Sequence, residues 1–211
     1  MRCLGRGLTN ECYGSTPGDG RKKISEHHWT ADEFYQAAEA GQFVDPDRLE
    51  LVQGRLQRLM QGQQHSNLRV RVSRQLRKSL DPPLFVRDEN PLHIAFDGEP
   101  IPDLMLTYEE EYEGRHPEPQ DIALFVEVAD TSIGTDLGEK ALLYTQASIA
   151  DYWVVLAESL VIVIHRQPSL NGYEEVTRLT GTDALSPLAR PEISWTINEL
   201  LGRKEDAQGE N

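Results

Sequence analysis

The chain has 211 residues, a formal net charge of −14 and two cysteines, Cys3 and Cys12. That length suits one domain with terminal extensions. With no further Cys for a disulfide framework or a zinc ribbon, the composition points to a reducing, cytoplasmic setting. The start MRCLGRGLTN lacks the apolar run of a signal peptide, and the most apolar stretches, 123–129 and 153–164, are strand-sized or interrupted by Glu158. No membrane partner is expected.

The charge is unevenly spread. Residues 48–87 hold nine Arg/Lys against two acids (a local +7), whereas 88–139 hold fifteen acids against Arg115 (a local −14). A basic half beside an acidic half can pair with itself, bind a polyanion next to a metal site, or simply be solvated.

In chain order, residues 1–27 mix Gly, Ser, Thr, Asn and charge without an apolar period and read as a mobile, disordered tail. The domain is placed at 28–202, with a polar tail at 203–211. Thr30-Ala31-Asp32-Glu33 is a capping box, and Trp29 and Phe34 stand at the spacing of a hydrophobic staple, so a helix is predicted to about Glu39, stopping at Gly41. LELVQGRLQRLM, residues 49–60, reads as two short strands joined by a tight turn at Gln53-Gly54. The spacing of Leu68, Val72, Leu76 and Leu80 predicts a helix over 66–80 with Arg69, Arg71, Arg74, Arg77 and Lys78 mostly off its apolar stripe; Asp81-Pro82-Pro83 ends it.

Strand-like runs follow at 84–87, 92–96 and 101–106, then a polar loop at 109–120. IALFVEVA, 122–129, reads as a buried central strand. A helix is predicted from Asp136 to Ala147, then strands in DYWVVLA and LVIVIHR, an edge strand at Tyr173–Leu179 and a closing helix at Ile193–Leu201. This order gives an α/β (α+β) fold, a mixed sheet flanked by helices.

Glu127 breaks its local rule. A carboxylate inside an apolar strand costs several kcal/mol unless a cation or donors meet it. Period two places Phe125, Glu127 and Ala129 on one face and Leu124, Val126 and Val128 on the other. Asp103 stands at the start of the strand predicted over 101–106. Two carboxylates from neighbouring strands could clamp one hard cation; equally, they could be strand-end acids held by Arg or backbone N–H groups. No histidine pair shows zinc-ligand spacing, and there is neither a Gly-rich phosphate loop nor a nucleophile elbow.

Pro102-Asp103, Glu127-Val128-Ala129, Asp136…Lys140…Tyr144 and Asp151-Tyr152-Trp153 stand in one order and spacing. Together with Glu50-Leu51-Val52-Gln53-Gly54 and His65 before a basic helix, they resemble the Uma-two family of endonuclease-like proteins in the PD-(D/E)XK superfamily. The resemblance runs from about Trp29 to Arg166. It implies a restriction-endonuclease-like fold, cleavage of DNA with Mg²⁺ or Mn²⁺, and a metal held by Asp103, Glu127 and the Val128 carbonyl. Lys140 would orient or activate the attacking water; otherwise it is a surface lysine paired with Asp136 or Tyr144. In many nucleases of this superfamily the lysine stands two residues after the glutamate, where this chain has Ala129, so the lysine is expected from the following helix. Glu50 and His65 are secondary candidates, a further carboxylate and an orienting imidazole. The rival expectation is a catalytically silent interaction module on the same fold; a homodimer stays open. Arg69, Arg71 and Arg74 lining the site would favour a nucleic acid, and acids all around it would favour the rivals.

Overall fold

The computed structural model describes residues 27–59, 61–94, 97–130 and 134–203. Of the expected tails, 1–27 and 203–211, all but residues 27 and 203 lie outside the described residues, as do both cysteines. Helix α1, Ala31–Glu39, begins at the predicted capping box: Thr30 accepts from Glu33 N, and the Glu33 carboxylate accepts from Thr30 N. The staple is modified, because Phe43 provides a ring for both Trp29 and Phe34.

Strands β1 (Leu49–Val52) and β2 (Arg55–Arg58) pair antiparallel around Gln53-Gly54. Both turn residues have positive φ, 47° and 74°, as the twist of a two-residue hairpin requires. A Cβ at Gly54 would run into the His28 ring, so glycine serves the close approach as well as the turn. Reciprocal bonds between Leu51 and Glu99, at 3.1 and 2.8 Å, sew the hairpin to the segment leading into Asp103.

Helix α2 spans Gln63–Ser79, three residues earlier at its start than predicted. Leu68, Val72, Leu76 and Leu80 are all buried on Leu124, Val126 and Val128. The earlier start puts His65 inside the first turn, three residues before Leu68 on the same inward stripe, so the ring points into the protein.

The main sheet has six strands in the order β3-β4-β5-β6-β7-β8: β3 Phe85–Asp88, β4 Leu104–Thr107, β5 Ile122–Ala129, β6 Asp151–Leu156, β7 Val161–Ser169 and β8 Gly172–Leu179. Only β5 and β6 run parallel, joined through a π-turn at Thr135–Glu139 and helix α3, Lys140–Gln146. One face packs on α2; the other, with Phe125, Ala129 and Tyr152, packs on Ala141, Leu143 and Tyr144 of α3 and on Val52 of β1. The mixed sheet flanked by helices agrees with the sequence reading. Among the described residues no helix is long and apolar enough to cross a membrane.

Two expected elements differ. Leu92–Ile94, the described part of the strand expected at 92–96, is irregular: its N–H groups go to Pro100, Pro117 and Gly98, three separate partners in place of a ladder. The closing helix is short. A second capping box, Thr196 with Glu199, starts α4 (Ile197–Leu200) late, and Trp195–Thr196 (β10) pairs instead with Ala184–Leu185 (β9).

Asp151 fastens this C-terminal part. Its carboxylate accepts from Trp153 Nε1 at 2.8 Å, Arg166 Nε at 2.9 Å and Leu188 N at 2.9 Å, while Arg166 also donates to the Ser186 carbonyl. Burial pushes its pKa up despite these donors. Asp151→Ala, which leaves Arg166 unpaired, should cost about 3–5 kcal/mol in denaturant unfolding; a loss below about 1 kcal/mol would show that the segment is held by other contacts.

Candidate active site

Glu127 lies near the end of β5, with all eight residues of the strand buried. The β4–β5 register, Leu104 opposite Val126, places Asp103 just before β4 and beside Glu127. The two are interlocked. Asp103 N donates to Glu127 Oε2 at 3.3 Å, and Val128 N donates to Asp103 Oδ2 at 2.7 Å. In an extended strand one residue's N–H and C=O point to the same edge, so the Val128 carbonyl also faces the Asp103 side. Ala129, next along, offers its carbonyl to β6 through Ala157 N at 2.8 Å, as the alternation requires.

Lys140 enters from the first turn of α3, over the face that carries Glu127 and the small Ala129. It is only 4% exposed, which overturns its reading as a surface lysine. Its Nζ lies 3.1 Å from Glu127 Oε1, 3.1 Å from Glu50 Oε2 and 3.8 Å from Asp136 Oδ1. Burial alone would lower its pKa; the carboxylates of Glu127, Glu50, Asp136 and Asp103 outweigh burial and hold the ammonium form well above the usual lysine range. Its surroundings therefore favour the ammonium over the neutral amine.

Glu127 moves the other way for a carboxylate. Burial, then Asp103, Asp136 and Glu50, raise its pKa well above the ordinary value, only partly countered by Lys140. Tyr144, its own pKa raised by burial and by Glu127, stays a neutral donor to Glu127 Oε1 at 2.9 Å. His65 Nε2 lies 2.9 Å from Asp103 Oδ2. The other ring nitrogen, Nδ1, is buried with no hydrogen-bond partner among the described residues.

All six residues expected at the site thus line one cavity of about 180 Å³: Glu50, His65, Asp103, Glu127, Val128 and Lys140. Asp136 lines it too, and Tyr144 supports Glu127. The sequence marked both as partners for Lys140 on a helix and as part of the motif that carries the family resemblance, without giving either a role at the site. The arginines of the basic helix are elsewhere. None of Arg69, Arg71 and Arg74 lines the cavity, and Arg69 is tied to Asp88 and Glu89 at 3.5 and 3.1 Å; Arg58 stands in the wall instead.

The cavity sets four carboxylates against one ammonium. Among the described residues, no three His, Cys, Asp or Glu side chains form a ready-made metal cage. The donor set nevertheless suits a hard cation: two carboxylates and a backbone carbonyl, all oxygen, leave room for the waters that Mg²⁺ retains. The excess of carboxylates over the cationic side chains Lys140 and Arg58 points the same way.

A crystal structure from Anabaena variabilis, described as a "putative nuclease", is similar with a TM-score of 0.63 and 15% identity, covering 82% of this chain and 97% of that one. At that identity the likeness shows a shared fold. No curated protein matches the chain. The profile of the Uma2 family, described as "Putative restriction endonuclease", matches residues 31–198. With the match spanning the sheet, both flanking helices and the whole carboxylate–lysine cluster, the chain belongs to the Uma2 family.

Proposed function

We propose that this protein is a divalent-metal-dependent nuclease that hydrolyses phosphodiester bonds of DNA on the PD-(D/E)XK plan. The observation that carries the reading is the interlocked pair Asp103–Glu127 with a buried Lys140 ammonium on its rim. The family's description and that of the Anabaena protein support the same reaction class. Asp103, Glu127 and the Val128 carbonyl would hold Mg²⁺ or Mn²⁺, which when bound supplies a Lewis acid and a water of lowered pKa.

The chain's own groups do the rest. His65 and Val128 N fix the Asp103 carboxylate, while Tyr144 and Asp103 N fix Glu127. Glu50 and Asp136 hold Lys140 in place, so its ammonium can donate to an attacking water or to a phosphate oxygen as charge develops there. Because that charge is preformed and dry, it needs little reorganisation during the reaction.

One observation favours a second reading, an interaction module without turnover: the cavity wall is acidic and the arginines of α2 do not reach it. Titrating Mg²⁺ and Mn²⁺ into the purified protein, followed by assays on single-stranded, duplex and supercoiled DNA, separates the two. Metal-dependent cleavage of any form is the expected result. Saturable metal binding with no cleavage of all three would favour the module.

A further inference from the structure

A second hollow opens next to the Asp103–Glu127 cavity. Ile101 is a wall of both, and a shallow hollow between them shares Leu59 and Gln61 with the first and Asp47 and Glu89 with the second. The three adjoin along these shared walls as a row, here called the trough. Its far end, about 280 Å³, is lined by Phe34, Tyr35 and Ala38 of α1, with Leu49, Glu99 and His116. Asp103 follows Glu99 by four positions, at most about 14 Å of extended chain.

The far end has the chemistry of a base pocket rather than a phosphate pocket. Asp47, Glu89 and Glu99 would repel a phosphate, while Phe34, Ala38 and Leu49 give it apolar walls. The Tyr35 and His116 rings lie nearly parallel, 17° apart with centroids at 6.1 Å, and both line the hollow. Glu99 is 2% exposed yet lines the hollow. Tyr35 Oη donates to its Oε2 at 3.1 Å and His93 Nδ1 lies 2.5 Å from its Oε1, which fixes the carboxylate. Each oxygen carries a second lone pair besides the one so engaged.

We infer that this end of the trough binds an unstacked nucleobase flanking the scissile phosphodiester, with guanine preferred; the inference rests on the nuclease reading above. Splayed-out bases are held by stacking on aromatic rings and by hydrogen bonds along their Watson–Crick edge. Guanine presents N1–H and N2–H side by side, a match for one carboxylate, whereas thymine presents a single N–H between two carbonyls that a carboxylate repels.

Uncharged nucleosides test this without metal or cleavage. In NMR titrations of the full chain, deoxyguanosine should shift the signals of Tyr35 and His116 and bind at least about tenfold more tightly than thymidine, the scale of one good base contact. His116→Ala, on an exposed loop, should weaken deoxyguanosine about fivefold or more by removing a stacking face. Glu99→Gln should abolish the preference over thymidine. Equal affinity for the two nucleosides, no saturable deoxyguanosine binding, or a preference that survives Glu99→Gln would each overturn the inference. Deoxyguanosine binding in a protein inert on DNA with every metal would retire the nuclease reading and keep the base site. Cleavage without nucleoside binding would do the reverse.

Discussion

Lys140→Ala is expected to lower DNA turnover by about 10²-fold or more in the metal-loaded protein, the scale seen when a preorganised transition-state donor is removed. The same substitution should destabilise the metal-free protein by about 3–5 kcal/mol, because it leaves Glu50, Glu127 and Asp136 buried around an absent cation. Saturating Mg²⁺ should then recover much of that loss, about 2.7 kcal/mol at a hundred times Kd, since a cation replaces the ammonium. Lys140→Arg should remain impaired, because the bulkier guanidinium cannot sit as a compact charge among three carboxylates. The sign with pH is clear: Lys140 is raised above its unfolded value, so its contribution is complete below about pH 10.5 and is lost only as pH rises through the folded value. Chemical unfolding with and without Mg²⁺, alongside initial rates, checks both effects. An unchanged unfolding midpoint in metal-free Lys140→Ala would remove Lys140 as the neutralising charge. Equal rates for the two proteins would remove it from the hydrolytic step.

The second large effect concerns Glu127 and the cation. Its pKa is raised by burial and by three neighbouring carboxylates, so a proton competes with the metal for the same oxygens until pH passes the folded value. Metal binding should release that proton, and apparent Mn²⁺ affinity should rise with pH by up to about tenfold per unit until the folded pKa is passed. Without metal the sign reverses for stability. A carboxylate whose folded pKa lies above its unfolded 4.5 favours the fold at low pH, and that contribution is lost as pH rises from about 4.5 through the folded value. Glu127→Gln should flatten this slope and weaken Mn²⁺ by more than about tenfold, the lower end of what even a ligand's outer partner contributes. Calorimetry at pH 6, 7 and 8, with the buffer ionisation heat varied to count protons, measures both. Mn²⁺ binding as tight in Glu127→Gln as in wild type would exclude Glu127 as a ligand.

Much of the site was legible because it violates a pattern. A glutamate within IALFVEVA has no place on a dry face, and the period-two rule already set it opposite Leu124, Val126 and Val128. Asp103 followed from its strand-start setting. Lys140 and the Val128 carbonyl came only through the family resemblance, since nothing in the helix pattern distinguishes a buried lysine from a wet one. The arginine stripe of α2 was legible as an amphipathic pattern, but not the direction it faces: Arg69 is drawn to Asp88 and Glu89, away from the cavity.

The sequence by itself determined the elements whose cause is local: the capping box at Thr30, the positive-φ turn at Gln53-Gly54, the Leu68–Leu80 stripe, and an eight-residue central strand carrying one misplaced acid. Only the tertiary structure decided what surrounds that acid. Glu50 comes from a hairpin sewn to Glu99, His65 from a helix that starts three residues early, and Asp136 and Lys140 from the π-turn and helix that link β5 to β6. These groups lie 9 to 77 positions from Glu127, and local propensity carries no information about such distances. Sheet register and helix docking bring them together, and the resulting crowd of carboxylates around one ammonium raises the pKa of Glu127 and of Lys140.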